Sequence, residues 1–225
     1  MVIAEDLLLL LFDDESGKPA EGVRNLGYSL AGALLIELAM QGRVDVSDGT
    51  GEEKAGRLVV LDETPTGTPV LDDALGGLAG LAGRKPKDVI GPLARDDLRG
   101  RLLDGLADRG VLRREEGRIL GLFPTTRWPA EDSGHEAAVR DGLRRVLVDG
   151  ERPDERMGAL IALLVGMGVV RRVVDGPDPK AVERRAKEIA EGNWAGDAMR
   201  RAVDEMTAAV MAAVFVPTIV AGTGT

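Results

Sequence analysis

Met157 to Val170 runs for 14 residues without a charged side chain, between Arg156 and Arg171. In a chain whose residues are 30% charged, that stretch is too apolar for a surface helix, which needs a polar outer face. It is too short to span a bilayer, which takes about 20 apolar residues. What remains is a helix covered on all sides at the centre of a bundle. The rest of the chain must supply the cover, and its periodicity does so. Leu30, Leu34, Leu35 and Leu38 fall at helical spacing within Tyr28 to Met40, with Gly42 just beyond. Further helical patterns lie near Val70 to Leu81, at Leu98 to Arg109, and at Glu136 to Val148. Three more lie at Arg156 to Val174, Pro179 to Glu191 and Ala195 to Val216. Leu7 to Phe12 reads as a short buried helix or strand.

Helix, glycine and hairpin occur in that order twice. Arg43 to Val46 and Arg57 to Leu61 flank a Gly-rich tip. After the helix at 98–109 and Gly110, Val111-Leu112 and Ile119 to Phe123 flank the tip Arg113 to Gly117, which predicts a hairpin over 111–123. Between 81 and 98 the Gly, Lys and Pro content reads as a loop. The expected fold is mainly α: a central helical bundle surrounded by further helices, with one or two short β-hairpins. Nothing interrupts the pattern at linker length, so a single domain over 3–216 is expected, with a flexible tail at 217–225.

Composition narrows the function. Without Cys, disulfide scaffolds and thiolate chemistry are excluded, and with His135 as the sole histidine a Ser-His-Asp triad or a multi-His metal site is not expected. The carboxylate pairs Asp13/Asp14, Asp72/Asp73 and Asp96/Asp97 stand in no catalytic frame, and neighbours on a helix point about 100° apart. Gly76-Gly77 lacks the Lys and Ser/Thr of a phosphate-cradling loop. The expectation is a protein with no catalytic residues, no cofactor and no metal.

The net charge of −9 is unevenly spread. Residues 84–127 carry 11 basic and 7 acidic side chains, a basic island in an acidic chain. Such an island suits phosphate groups, or simply neutralises neighbouring acids on a solvated surface. A helix followed by a hairpin is also the layout of a winged-helix DNA-binding unit. The helix at 30–40 carries none of Arg, Lys, Asn or Gln, and that at 98–109 balances Arg99, Arg101 and Arg109 with Asp104 and Asp108, so no nucleic-acid partner is expected. Leu120, Leu122 and Phe123 either present an apolar surface to a membrane or a second subunit, or pack on the core. Trp128 is likewise an interfacial anchor or a lid on the core. The acidic start at Glu5 and Asp6 is unlike a secretory signal, so a cytoplasmic location, peripheral to the cytoplasmic membrane face, is expected.

Several short motifs, in order, resemble one family. They are Glu5-Asp-Leu-Leu-Leu-Leu10, Leu34-Leu-Ile-Glu-Leu-Ala39 with Gly42-Arg43, and Thr66-Gly67 with Leu71-Asp-Asp-Ala-Leu75. Leu106-Ala-Asp-Arg-Gly-Val-Leu112, Leu122-Phe-Pro-Thr-Thr126 and Asp154-Glu-Arg-Met157 with Ala159-Leu160 continue them. Together they resemble the Golgi phosphoprotein family of phosphoinositide-binding peripheral membrane proteins, over essentially the whole chain. The resemblance implies a helical bundle wrapped by helices and a hairpin, and binding of phosphatidylinositol 4-phosphate or a similar anionic phospholipid. It further implies a protein client, since the eukaryotic members act as coat and cargo adaptors for Golgi glycosyltransferases, and a homo-oligomer through the 111–123 hairpin. The family's phosphate pocket uses one Trp and three Arg; the matching positions here are Gly22, Ala31, Asp96 and Arg99. Arg99 alone is kept, and Arg95 stands beside Asp96 as a substitute. The 23 Arg against 6 Lys suit a high-GC bacterium. The expected site is Arg99 and Arg95 for the headgroup, with Leu120, Leu122 and Phe123 for membrane or subunit contact. The alternative expectation is a soluble scaffold or oligomeric interaction module that has lost lipid binding.

Overall fold

The computed structural model describes residues 1–13, 16–17, 25–51, 53–95, 97–119, 123–191 and 206–212, the side chains at 118, 119, 123 and 124 excepted. Three helices form its interior. Every residue of α1 (Ile3–Leu11) is buried, which its unbroken leucine run requires. α2 (Leu26–Met40) crosses α1 and is buried continuously from Ser29 to Ala39. α7 (Glu155–Met167) lies against both, with Gly158 to Leu164 buried. This is the uncharged stretch expected at the centre of the bundle.

The other helices cover these three. α3 (Pro69–Ala79), α4 (Pro86–Leu93) and α5 (Leu98–Asp108) pack on α2, and α5 and α6 (Gly134–Leu147) pack on α1. α8 (Val170–Val173) and α9 (Pro179–Ala190) pack on α7. The buried apolar side chains make one continuous cluster from Val2 to Val210. A helical segment at 206–212 closes it, with Val210 seated on α2 at Gly32. A Cβ added to Gly32 would lie 2.3 Å from Val210 Cγ1, so only glycine allows the approach. The rest of the expected helix at 195–216 lies outside the described residues.

Both hairpins form, antiparallel. β1 (Val44–Val46) pairs with β2 (Leu58–Val60), Val44 facing Val60. β3 (Glu115–Ile119) pairs with β4 (Phe123–Arg127), Glu115 facing Arg127 and Ile119 facing Phe123. The predicted strand boundaries of the second hairpin are corrected here. Glu115 to Gly117, read as the tip, lie within β3, and 120–122 connect the strands. Glycine and charge suggested a turn, but the ladder begins further back, at the Leu112–Ala130 bridge and the bond from Arg113 N to Pro129 O, 2.9 Å. Ion pairs of Arg113 with Glu115 and Glu131 flank that start.

Two further differences concern helices. α4 occupies what read as a Gly/Lys/Pro loop: Pro86 stands in its first turn, where the missing N–H costs nothing, and Val89 and Ile90 are fully buried. The helix expected over 156–174 stops at Met167, because Gly168 turns left-handed at φ 69° and α8 starts afresh.

Candidate functional site

Arg95 and Arg99 stand on either side of the α4–α5 turn. Arg95 follows Ala94, the C-cap of α4, and Arg99 lies in the first turn of α5. Both are exposed, and neither pairs with an acid among the described residues. Asp97 starts α5 at φ 52° and accepts from Gly100 N at 3.2 Å, so its charge is directed along the backbone. Asn25, which starts α2, has φ 55°. These are the two non-glycine residues with positive φ among those described, and Asn and Asp are the types that tolerate it best. The start of α2 meets the end of α4: a Cβ on Gly27 would lie 3.8 Å from Ala94 O. Two helix N-termini thus flank the turn that carries both arginines, a setting that favours an anion.

Of the matched family positions, Ala31 is fully buried in α2, while Gly22 and Asp96 lie outside the described residues. The structure therefore brings Arg95 and Arg99 together on one turn and provides no arginine at position 31. Leu120 and Leu122 lie outside the described residues. Phe123 opens β4 opposite Ile119, and its side chain is not among those described. Trp128 is resolved as a lid on the core. It is 9% exposed, its backbone N–H donates to Gly17 O at 3.2 Å, and the Arg114 guanidinium sits 5.6 Å above its ring.

The pair Asp72/Asp73 serves structure. Asp72 accepts from the backbone and hydroxyl of Thr66 at 2.6 and 2.7 Å, and Asp73 pairs with Arg101 at 2.8 Å. The Thr66 hydroxyl, then its N–H, hold the Asp72 carboxyl below the usual aspartate range. His135 Nε2 lies 2.7 Å from Asp6 Oδ1. No group of three or more metal-ligating side chains occurs among the described residues.

A cleft of about 590 Å³ opens where the start of α1, the end of α2, the start of α3 and one side of α5 meet. Its buried acids are internally matched. Glu37 accepts from Ile3 N and Arg156 Nη1, both at 2.9 Å, and Glu5 from Arg109 Nη2 at 2.7 Å. Arg156 also reaches Asp6 Oδ2 at 2.7 Å and Met1 O at 2.8 Å. Burial opposes the Arg156 charge, but Asp6 and Glu37 outweigh it and raise its pKa above the usual value. The cluster pins α1 to α2 and α7.

Sequence reading missed Tyr28 as a surface residue, because helical spacing alone grouped it with the core leucines. It is 46% exposed, and its hydroxyl would lie 3.6 Å from a Cβ on Gly91 of α4. Among the described residues, no helix is long and apolar enough to cross a membrane.

The architecture is a mainly helical bundle with two small antiparallel hairpins. A family model described as Golgi phosphoprotein 3 (GPP34) matches residues 3–206, and the chain belongs to that family. Among curated relatives it is similar to vacuolar protein sorting-associated protein 74 of Eremothecium gossypii, 30% identical over 167 residues, which are 66% of this chain and 49% of the relative. The protein of that name from Schizosaccharomyces pombe is 29% identical over 165 residues, 66% of this chain and 47% of the relative. The chain's match spans about half the length of these relatives.

Proposed function

We propose that the chain is a non-catalytic peripheral membrane or adaptor protein that binds anionic phospholipid headgroups, phosphatidylinositol 4-phosphate or a similar phosphate, at Arg95 and Arg99. The observation that carries the reading is that both guanidinium groups are exposed and unpaired on the α4–α5 turn among the described residues, where ten of the other seventeen described arginine side chains have acidic partners. A planar guanidinium donates two parallel hydrogen bonds to phosphate oxygens, which suits this chemistry. Family membership supports it, and so does the placement of a hairpin directly after α5. Leu120, Leu122 and Phe123 supply apolar contact with acyl chains or with a second copy. On this reading residues 3–216 act as one domain, with 217–225 as a tail, at the cytoplasmic face of a membrane, and a protein client binds elsewhere on the surface.

Co-sedimentation with vesicles tests it. The purified protein should pellet with phosphatidylcholine vesicles that also carry phosphatidylinositol 4-phosphate, and not with phosphatidylcholine alone. Reversing Arg95 and Arg99 to Glu together should remove binding without lowering the melting temperature. Undiminished binding by that double variant would refute the site.

A second reading rests on Ala31. Its full burial leaves the α2 side of the family's pocket without a cation. A scaffold that kept the fold and lost the lipid would fail to pellet with any vesicle and would still self-associate.

A further inference from the structure

We infer that the outer face of α4, with Tyr28 lying across its middle, is a second bilayer contact, and that its partner is the anionic membrane surface rather than one headgroup. The inference rests on the lipid reading of the neighbouring arginine turn and extends it.

Lys87 and Gly91, four residues apart, share one side of α4, and Arg95 follows just past its C-cap. Arg84 and Lys85 stand at the start of the helix. All four basic side chains are exposed, as is Arg99 beyond them, and none has an acidic partner among the described residues. The acids of this stretch are Asp88, exposed in the first turn, Asp96, outside the described residues, and Asp97, which caps Gly100. Five basic against three acidic residues leave the segment 84–99 positive within a chain of net charge −9.

Two features separate this face from an ordinary solvated one. First, Arg84, Lys85 and Lys87 crowd the N-terminal end of a helix, where the dipole disfavours cations. They gain no ion pair that would offset the placement, so folding alone does not account for them. Second, the face carries an aromatic ring. Tyr28 is the only tyrosine of the chain and one of three exposed large apolar residues among those described. Its ring edge packs against α4 at Gly91, where the hydroxyl would lie 3.6 Å from an added Cβ. Tyrosine on a face that also carries basic residues is the composition of a membrane interface: the ring enters the headgroup layer and the cations meet lipid phosphates.

A membrane surface is favoured over a single bound headgroup because the five basic residues are spread over 84–99, from the start of α4 to the first turn of α5. Each basic side chain near an anionic surface is worth about a fivefold change in partition at moderate salt. The test uses the full chain and vesicles of phosphatidylcholine with increasing phosphatidylglycerol, which offers charge without an inositol phosphate. Binding should rise steeply with the anionic fraction and weaken with salt. Lys87→Ala and Arg84→Ala should each lower partition about fivefold. Tyr28→Ala should lower it further at salt concentrations that screen the charges, and Tyr28→Trp should restore it. Melting temperatures should match the parent, because these side chains are exposed.

Parental partition by Tyr28→Ala and Lys87→Ala, with loss only in the Arg95/Arg99 variant, would overturn this inference and leave the arginine site standing. Failure of the unaltered chain to bind any anionic vesicle would remove both. Salt-sensitive binding to a nucleic acid with none to vesicles would assign the face to another polyanion and overturn it equally.

Discussion

Two residues mark how tightly the interior is specified. Gly32 lets α2 receive Val210, and Gly32→Val would drive its branched side chain into a space already filled. The expected loss is about 1–3 kcal/mol, read from urea midpoints, because overpacking forces neighbours off their rotamers. A compensating Val210→Ala in the same chain should recover part of it. Arg156 is the other. Removing its guanidinium leaves Asp6 and Glu37, at 2% and 8% exposed, short of their shared cation. Arg156→Met should cost about 3 kcal/mol, since breaking one side of a buried ion pair strands the other. Lys at this position should not restore it, because a single ammonium does not span Glu37, Asp6 and Met1 O as the forked guanidinium does.

At the scale of elements, ends matter more than middles. The start of α3 is held by Asp72, whose carboxylate receives both Thr66 donors. Its pKa is lowered in the fold, so the ionised form adds stability above the unfolded aspartate range. That contribution disappears as pH falls through the lower folded value. The parent should therefore lose stability more steeply than Asp72→Asn below about pH 4, measured as denaturation midpoints across pH. The end of α6 is closed from outside by Arg185, which donates to Val146 O, Gly150 O and Glu151 O at 2.6, 3.0 and 2.8 Å. Arg185→Ala should release that turn at a cost of about 1–2 kcal/mol, seen as faster amide exchange at 146–151. Such details explain what was legible in the sequence. α2, α5, α6 and α9 were readable because apolar spacing is their main determinant. α4 was not, because Lys85, Pro86, Gly91 and Pro92 mimic a loop while Val89 and Ile90 decide the matter through burial. The second hairpin slipped because its charged run is held straight by Arg113 and Arg114 pairs that only the fold brings into reach. At the proposed site, Arg99 comes from a family pattern and Arg95 from its place beside Asp96, whereas Tyr28 shows only through its exposure and its contact with Gly91.

For the whole molecule, the division of labour follows from where charge is spent. Inside, Glu5, Asp6, Glu37 and Glu136 are buried and bound to Arg109, Arg156, His135 and Arg140. Outside, the segment from Arg84 to Arg99 leaves its cations open. If self-association runs through the β3–β4 hairpin, Leu120→Ser with Leu122→Ser should yield monomers by sedimentation without altering the melting temperature, whereas an unchanged assembly would direct attention to another surface. The complete burial of α1 has a consequence in time. Its leucine row leaves the ribosome before Arg109 and Arg156, which secure it from far along the chain. Until α5, α6 and α7 have emerged, the helix has no finished place to go. Synthesis therefore carries this greasy stretch without its partners until those helices appear, and the interior closes late.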